Sequence, residues 1–274
     1  MFNMNVNFKF LLLGTSLSLI PNLTYAQCAV TDCLQLGYTS LKSCGGGLKC
    51  PFGEYWACPK VTKAELGSCN GYAKNCKIGD ILNSDGTCTG DKINGKTPIG
   101  IVLYISGGRC GWAMTVSPVA QGIAWGDYNS SVPGVSDYTD SETAFTDYNA
   151  CGNTEKIIQA SKGDSSKYPA AYAAVNYAPA SVPETKGKWC LPAIGMLHVL
   201  YSNLDAINNT RTKLGESIIY RGHDIWSSAE CDYEQAWGFS NTYFITSDGT
   251  TGGGVRCYSK YMNWDNYVYP VIMF

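Results

Sequence analysis

Charged side chains are scarce in this 274-residue chain: Asp, Glu, Lys and Arg make up 15% of it, and the formal net charge is -2. Without a basic surplus, the sequence gives no support for nucleic-acid binding, which depends on Lys and Arg at the phosphates. Only two histidines are present, and no Cys-x-x-Cys pair exists. Structural zinc sites normally need such close ligand spacing, so we predict no metal site.

Signals for catalysis are also few. No Gly-x-Ser-x-Gly string marks a hydrolase nucleophile. A Ser-His-acid arrangement would have to use His198 or His223, and nothing around either residue indicates a reactive centre. We therefore predict no catalytic residues and no cofactor, with an enzyme kept as the less favoured alternative.

Long apolar runs are absent after the first 26 residues. Residues 1–26 are predicted to be a secretory signal peptide, with Lys9 before an apolar stretch and Thr24-Tyr25-Ala26 before the cut. The apolar stretch is too short to span a bilayer, and no later segment is long enough. We expect a mature chain without a transmembrane segment, secreted or at the cell surface, with the periplasm as an alternative.

Cysteine, by contrast, is abundant, with 13 residues that all follow the predicted cut. In an exported chain cysteines indicate disulfides. Eight of them lie in residues 27–90, a turn-rich segment without clear hydrophobic periodicity. We predict a small disulfide-rich module there, either a binding module or an inert spacer, whose cysteines pair among themselves. Five cysteines follow, so one is left free or bridged to another chain. Among these five, Cys231 and Cys257 are predicted to pair because both follow strands.

A polar, turn-rich linker at Asp91–Thr97 precedes the second predicted unit, residues 98–274. The β-branched run Pro98–Ile105 and the segment Gly111–Val116 predict a hairpin. A long surface loop is expected from Tyr128 to Tyr148. The predicted helices are Thr154–Ala160 with Asn153 as N-cap, Ala170–Asn176 after Pro169, and Ala193–Leu204, which Gly195 weakens by about 1 kcal/mol, with a further turn to Leu214. The predicted strands that follow are Asp224–Ser228, Gln235–Phe239, Tyr243–Ile245, Gly254–Tyr258 and Tyr267–Met273. This order indicates an α+β fold.

Four short sequence strings occur in the second half of the chain: Trp189-Cys190-Leu191-Pro192, Trp226-Ser227-Ser228-Ala229-Glu230, Ala236-Trp237 and Gly254-Val255-Arg256-Cys257. In this order and spacing, from about Ile99 to Phe274, they resemble the Lcl C-terminal domain family of bacterial surface proteins. The resemblance implies a C-type-lectin-like domain with an antiparallel sheet and flanking helices, an extracellular location and, in some members, adhesion. It implies no catalytic residues, although formylglycine-generating enzymes share this type of fold. One departure is Gly195-Met196, where family members often carry an acidic residue.

The residues themselves suggest roles for the same strings. Trp189, Trp226 and Trp237 are large side chains at the entries of predicted elements, which favours core packing. Glu230 and Arg256 are expected to form an ion pair that joins two strands, with a ligand contact as the alternative.

The densest mixture of aromatic and uncharged polar side chains lies near the end of the sequence, in or beside predicted loops. Tyr and Trp give contact area at little entropic cost, and Asn and Asp give adaptable hydrogen bonds. We predict a recognition surface for an extracellular protein or glycan made of Tyr233, Tyr243, Tyr258, Tyr261, Trp264, Asp265 and Asn266. The alternative is an aromatic-rich strand packed into the core.

Further alternatives stay open for this terminal region. Its pattern also resembles the variable region of C-type-lectin-like receptors diversified by retroelements. A structural component of a surface layer or appendage would share these features, and an oligomer is compatible with them. No Glu-Pro-Asn or Gln-Pro-Asp string indicates a sugar-binding calcium site.

Overall fold

The computed structural model describes Gly67 and residues 25–29, 55–59, 76–106, 110–220, 223–245, 251–263 and 266–274, with backbone alone in 25–29, 55–59, 241–245 and 251–253. The strands are β1 (Tyr25–Ala29), β2 (Tyr55–Pro59), β3 (Ile81–Asn83), β4 (Cys88–Thr89), β5 (Pro98–Ser106), β6 (Cys110–Thr115), β7 (Ala120–Gln121), β8 (Trp189–Cys190), β9 (Asp224–Glu230), β10 (Gln235–Ile245), β11 (Thr251–Ser259), β12 (Asn266–Val268) and β13 (Val271–Met273). The helices are α1 (Ser141–Ala144), α2 (Ala150–Ala160), α3 (Pro169–Asn176), α4 (Ile194–Ser202) and α5 (Leu204–Lys213).

One six-stranded sheet has the order β4-β3-β5-β6-β13-β8 and is antiparallel between neighbours. Its centre is the predicted hairpin, β5 with β6, which is confirmed. Ile101, Val102 and Leu103 are buried in β5, as expected for a β-branched run in a central strand. The sheet therefore forms where the sequence has its most continuous apolar strand.

The predicted linker, residues 91–97, connects two strands of this sheet, β4 and β5. Strand β3 pairs with β5 on the far side of residues 91–97, with Ile81 opposite Ile101. The described end of the predicted cysteine-rich module, residues 76–90, therefore belongs structurally with the domain predicted at 98–274. Most of that module and the predicted signal peptide lie outside the described residues, apart from the antiparallel pair β1 and β2.

The second sheet has five strands in the order β11-β10-β9-β12-β7. The predicted strands Gln235–Phe239 and Tyr243–Ile245 form one strand, β10, with an irregularity between Ser240 and Phe244. Strand β12 is parallel to β9, and the other neighbouring strands are antiparallel. The expected α+β organisation is confirmed by these sheets together with the helices.

A single short segment belongs to both sheets. The predicted strand Tyr267–Met273 is two strands, β12 and β13, separated by Tyr269 and Pro270. Proline has no N–H for a sheet ladder, so the chain leaves one sheet there and enters the other. The carbonyl of Pro270 still accepts a hydrogen bond from the N–H of Thr115, at 2.9 Å.

The start of helix α2 differs from the prediction. The helix begins at Ala150 with Asn149 as its N-cap, one turn before the predicted cap, Asn153. Asn153 is buried inside the helix, where its amide donates to the Asp147 carboxylate at 2.8 Å. A buried carboxylate needs donors, and this requirement outweighs the capping preference of Asn153. Within the predicted loop Tyr128–Tyr148, the short helix α1 also forms.

Gly195 is needed for close packing and is not only a weak position in helix α4. A Cβ atom at this residue would lie 2.6 Å from the Asp147 carbonyl oxygen and 2.7 Å from that of Phe145. The Gly195 N–H also donates to the Asp147 carbonyl at 2.9 Å. Only glycine allows the helix to approach this backbone so closely.

Disulfides connect distant parts of the domain. The predicted pair Cys231–Cys257 is confirmed, and Cys151–Cys190 and Cys76–Cys88 are also bonded. Cys110 is disulfide-bonded as well. Because the four cysteines after Cys110 pair with one another, the expectations that the first eight pair only among themselves and that one of the later five is left over are wrong.

Three buried apolar clusters surround the sheets. Trp189, Trp226 and Trp237 lie in different clusters and are buried, as predicted. Each indole N–H donates to an oxygen atom: Trp189 to the Thr185 hydroxyl, Trp226 to the Ile123 carbonyl and Trp237 to the Tyr138 carbonyl. These tryptophans therefore serve the core and not a surface.

Candidate functional site

A fully buried ion pair lies at one end of the five-stranded sheet. The Lys260 ammonium is 2.5 Å from Oε1 of Glu230, and neither side chain is exposed to solvent. Strand β9 ends at Glu230, and Lys260 directly follows strand β11. Each of these two charges is buried, so each depends on the other for compensation.

Lys260 and Glu230 also join three loops, defined as residues 126–135, 231–234 and 260–263. The other Lys260 ammonium contacts are the carbonyl oxygens of Ser130, at 2.7 Å, and Tyr233, at 3.1 Å. An ammonium group has three N–H donors, and these three acceptors satisfy all of them. Oε2 of Glu230 accepts from the N–H of Val132 at 2.9 Å. One ion pair therefore holds the three loops together.

Backbone contacts reinforce this arrangement. The Ser130 N–H donates to the Tyr233 carbonyl at 3.0 Å, and the Lys260 N–H donates to the Glu234 carbonyl at 2.9 Å. The Asp232 carboxylate accepts from the N–H groups of Glu234 and Gln235, which closes the turn between β9 and β10. The Cys231–Cys257 disulfide lies at the base of that turn. The loops are thus positioned by hydrogen bonds and a covalent cross-link.

Three exposed tyrosines project from these loops, and we call them the tyrosine surface: Tyr128, Tyr233 and Tyr261. Their exposed fractions are 38%, 54% and 63%. The rings of Tyr128 and Tyr261 meet edge to face with centroids 5.1 Å apart. Rigid loops that carry exposed aromatic rings are typical of recognition surfaces.

Burial and hydrogen bonding shift the pKa values of Glu230, in the buried ion pair, and of Tyr128, on the tyrosine surface. Burial raises the pKa of the Glu230 carboxyl, and the hydrogen bond from Lys260 opposes that rise. Partial desolvation, followed by a hydrogen bond to Glu234, raises the pKa of the Tyr128 hydroxyl. Tyr128 therefore remains a neutral phenol at physiological pH and can both donate and accept hydrogen bonds.

The structure divides the seven residues predicted for ligand binding. Tyr233 and Tyr261 lie on the tyrosine surface, whereas Tyr258 and Asn266 are buried. Tyr258 packs edge to face against Trp226, and its hydroxyl donates to Asp224 at 3.1 Å. Because Tyr258 and Asn266 are buried, they cannot belong to the predicted recognition surface. For these two residues the alternative, a strand packed into the core, is the correct one.

The remaining predicted residues do not complete one surface. Only the backbone of Tyr243 is described, within β10, and Trp264 and Asp265 lie outside the described residues. Asn266 pairs with Asp224 at the beginning of β9, whereas the ion pair lies at the end of the same strand. Six residues of strand separate these positions, about 20 Å. Asn266 and the tyrosine surface are therefore at opposite ends of the sheet.

The predicted partner of Glu230 was also wrong. Glu230 pairs with Lys260, while the Arg256 guanidinium lies over the ring of Tyr258, 4.6 Å from its centroid. The burial of Lys260 was not predicted, because a lysine among the polar and aromatic residues of a predicted loop is normally solvated. The available signal was its spacing from Tyr258, because side chains two residues apart in an extended chain face the same side.

A separate concavity of about 530 Å³ lies beside the Cys151–Cys190 disulfide. Thr154, Ile158, Val175 and Met273 contribute to its lining. None of the predicted binding residues lines it, so the concavity is separate from the tyrosine surface.

The described residues offer neither a metal-binding cluster nor a membrane-spanning helix. In this part of the chain, no group of three or more His, Cys, Asp or Glu side chains is placed to hold a metal ion. No helix among the described residues has both the length and the apolar character required to cross a membrane.

No protein-family model matches the chain, and no curated protein matches it. Among solved structures, the chain is similar to a fimbrial protein from Bacteroides ovatus, with 13% sequence identity and a TM-score of 0.45. The match covers 72% of this chain and 48% of the fimbrial protein, so the chain spans about half of that protein's length.

Proposed function

We propose that this protein is an exported binding protein that recognises an extracellular protein or glycan through the tyrosine surface. The observation that carries the proposal is the joining of three loops by a buried ion pair beneath three exposed tyrosines. Such an arrangement fixes the backbone before a ligand arrives, so less conformational entropy is lost on binding.

Exposed tyrosine suits this role better than most side chains. Each ring offers a large contact area with few rotatable bonds, and the hydroxyl adds a hydrogen bond. Isolated apolar side chains on a surface are ordinary, but a cluster of aromatic rings on adjoining loops indicates an interaction site. The three disulfides among described residues support an oxidising location outside the cytoplasm.

The resemblance of the Trp-Cys-Leu-Pro, Trp-Ser-Ser and Val-Arg strings to the Lcl C-terminal domain family supports the same proposal. We include in it a C-type-lectin-like arrangement of the α+β domain, and a role in binding rather than catalysis. In such folds, function lies in loops carried by the sheet scaffold, which agrees with a site on the loops around Lys260.

The test is a protein and glycan array probed with the purified mature chain, followed by titration of each hit with variants. Tyr261→Ala is expected to weaken binding by about 2 kcal/mol or more, as for an aromatic residue central to an interface. Tyr220→Ala is the matched control, because Tyr220 is 52% exposed but lies in another loop.

Thermal melts accompany these titrations. Both variants remove an exposed ring, so both are expected to melt close to the wild-type protein. Equal affinity of the Tyr261→Ala variant and the wild type for every hit would contradict the proposal. Self-association of the chain without any array hit would instead favour a structural role in a surface layer or appendage.

A further inference from the structure

The tyrosine surface carries an uneven distribution of charge. Its three loops contribute three acidic residues, Asp127, Asp232 and Glu234, each partly exposed. The one basic residue in these loops is Lys260, which is buried and paired with Glu230. The loops therefore present carboxylates beside the tyrosines without an accessible cation of their own.

The three carboxylates belong to the same short loops as the tyrosines. Glu234 contributes to the raised pKa of the Tyr128 hydroxyl, and Asp127 and Asp232 are the chain neighbours of Tyr128 and Tyr233. A cation placed over a tyrosine ring here meets the negative face of the ring and an adjacent carboxylate together. An anionic ligand would meet repulsion at the same position.

Two lysines of neighbouring segments, Lys156 and Lys167, lie close to these loops. Lys167 is exposed, and its carbonyl oxygen lies close to Gly126. Hydrogen bonds from Ser166, together with the charge of Lys167, lower the pKa of Asp164. The charge of Lys167 thus acts on Asp164 of its own loop, and the Lys156 ammonium donates to the Gly134 carbonyl, six residues along the chain from Tyr128.

We propose that the partner of the tyrosine surface is a cationic protein segment, with Lys or Arg side chains placed over the tyrosine rings and beside Asp127 and Glu234. This inference rests on the proposed function and names the chemistry of the ligand. Charge complementarity selects it over an acidic glycan or an acidic protein, because either would place like charges in contact.

The experiment measures binding of a short peptide that alternates lysine with glycine to the full-length mature protein. The same peptide with acetylated lysines and an uncharged hexamer of N-acetylglucosamine serve as comparison probes. Asp127→Asn combined with Glu234→Gln removes two carboxylate charges while keeping side-chain size. Asp232 is left intact because it accepts the hydrogen bonds that close the β9–β10 turn.

We expect the double variant to bind the lysine peptide about fivefold to tenfold more weakly than wild type at low salt. The difference should shrink when salt is raised from about 0.05 M to about 0.5 M, because exposed charges are then screened. The matched control, Asp205→Asn with Glu184→Gln, removes two exposed charges elsewhere and should bind as wild type does.

The other outcomes separate this inference from the proposed function. Two results would overturn the cationic partner and keep the tyrosine surface as a site. In the first, the acetylated peptide binds as tightly as the unmodified lysine peptide. In the second, the uncharged sugar binds in a way that depends on Tyr261, and the double variant binds it as tightly as wild type does. If Tyr261→Ala bound every probe and array hit as tightly as wild type does, both the cationic partner and the proposed function would be overturned.

Discussion

Replacing Lys260 with methionine tests the central feature of the site. Methionine keeps the length and apolar stem of lysine but removes the charge and three N–H donors. Glu230 would then be a buried carboxylate without a cation, and the Ser130 and Tyr233 carbonyls would each lose a donor. Removing one member of a buried ion pair costs about 3–5 kcal/mol of unfolding free energy.

The assay is urea denaturation at neutral pH, compared with a surface control. Lys213 pairs with Asp91 at 2.6 Å, but both side chains are more than a third exposed. Lys213→Met should therefore cost less than about 1 kcal/mol. A Lys260→Met variant as stable as Lys213→Met would refute the reasoning that the ion pair holds the loops.

Two further measurements identify the cause of the loss. Burial already raises the pKa of Glu230, and without Lys260 this pKa rises further. A carboxyl with a folded pKa above its unfolded value destabilises the fold once the pH exceeds the unfolded value. Lys260→Met should thus regain stability relative to wild type as the pH falls from about 7 toward about 4.5. Adding Glu230→Met should recover much of the loss, since no charge is then buried.

Three further predictions concern stability. Gly195→Ala should lower the unfolding free energy by about 1–3 kcal/mol despite the better helix propensity of alanine, because its Cβ would meet the Asp147 carbonyl oxygen; a stabilised variant in urea would contradict this. The hydrogen bond from Lys96 lowers the pKa of Asp85 to about 2, so this ion pair stabilises the fold above about pH 4 and loses its effect toward about pH 2. The effect on the unfolding free energy is small because both side chains are partly exposed, and Asp85→Asn should flatten this part of the acid denaturation curve. Burial raises the pKa of Tyr269 to about 12, so the fold loses stability as the pH rises from about 10 to about 12. Tyr269→Phe should reduce this loss in alkaline denaturation followed by circular dichroism, and an unchanged alkaline transition would contradict the prediction.

Local sequence patterns predicted the features that depend on local physics. The apolar run around Val102 became the central strand, and the buried tryptophans, such as Trp226, were predicted from residue size and position. The Cys231–Cys257 disulfide followed from the strands that precede both cysteines. In each case burial or pairing is decided by a side chain type and its immediate neighbours.

Features that depend on distant contacts were not predicted. Lys260 is buried because Glu230, 30 residues away, comes to lie beside it with the Ser130 and Tyr233 carbonyls. The spacing of Lys260 from Tyr258 indicates a shared side, but the residues adjacent to Lys260 in the chain do not supply the carboxylate and carbonyl partners that its burial requires. Likewise, Tyr261 and Asn266 are near in sequence, but the connection between β11 and β12 carries them to opposite ends of the sheet. Sequence proximity therefore overestimated the extent of the recognition surface.

The segment shared by the two sheets affects the order of assembly. Strand β12 lies between β9 and β7, and β13 lies between β6 and β8, so neither sheet is continuous without this segment. Their partners come from residues 110–230, far earlier in the chain. Folding must therefore close these long loops before either sheet is complete, which slows it. A nascent chain that ends before residue 266 lacks both strands, and β7 and β8 then have no strand to pair with among the described ones.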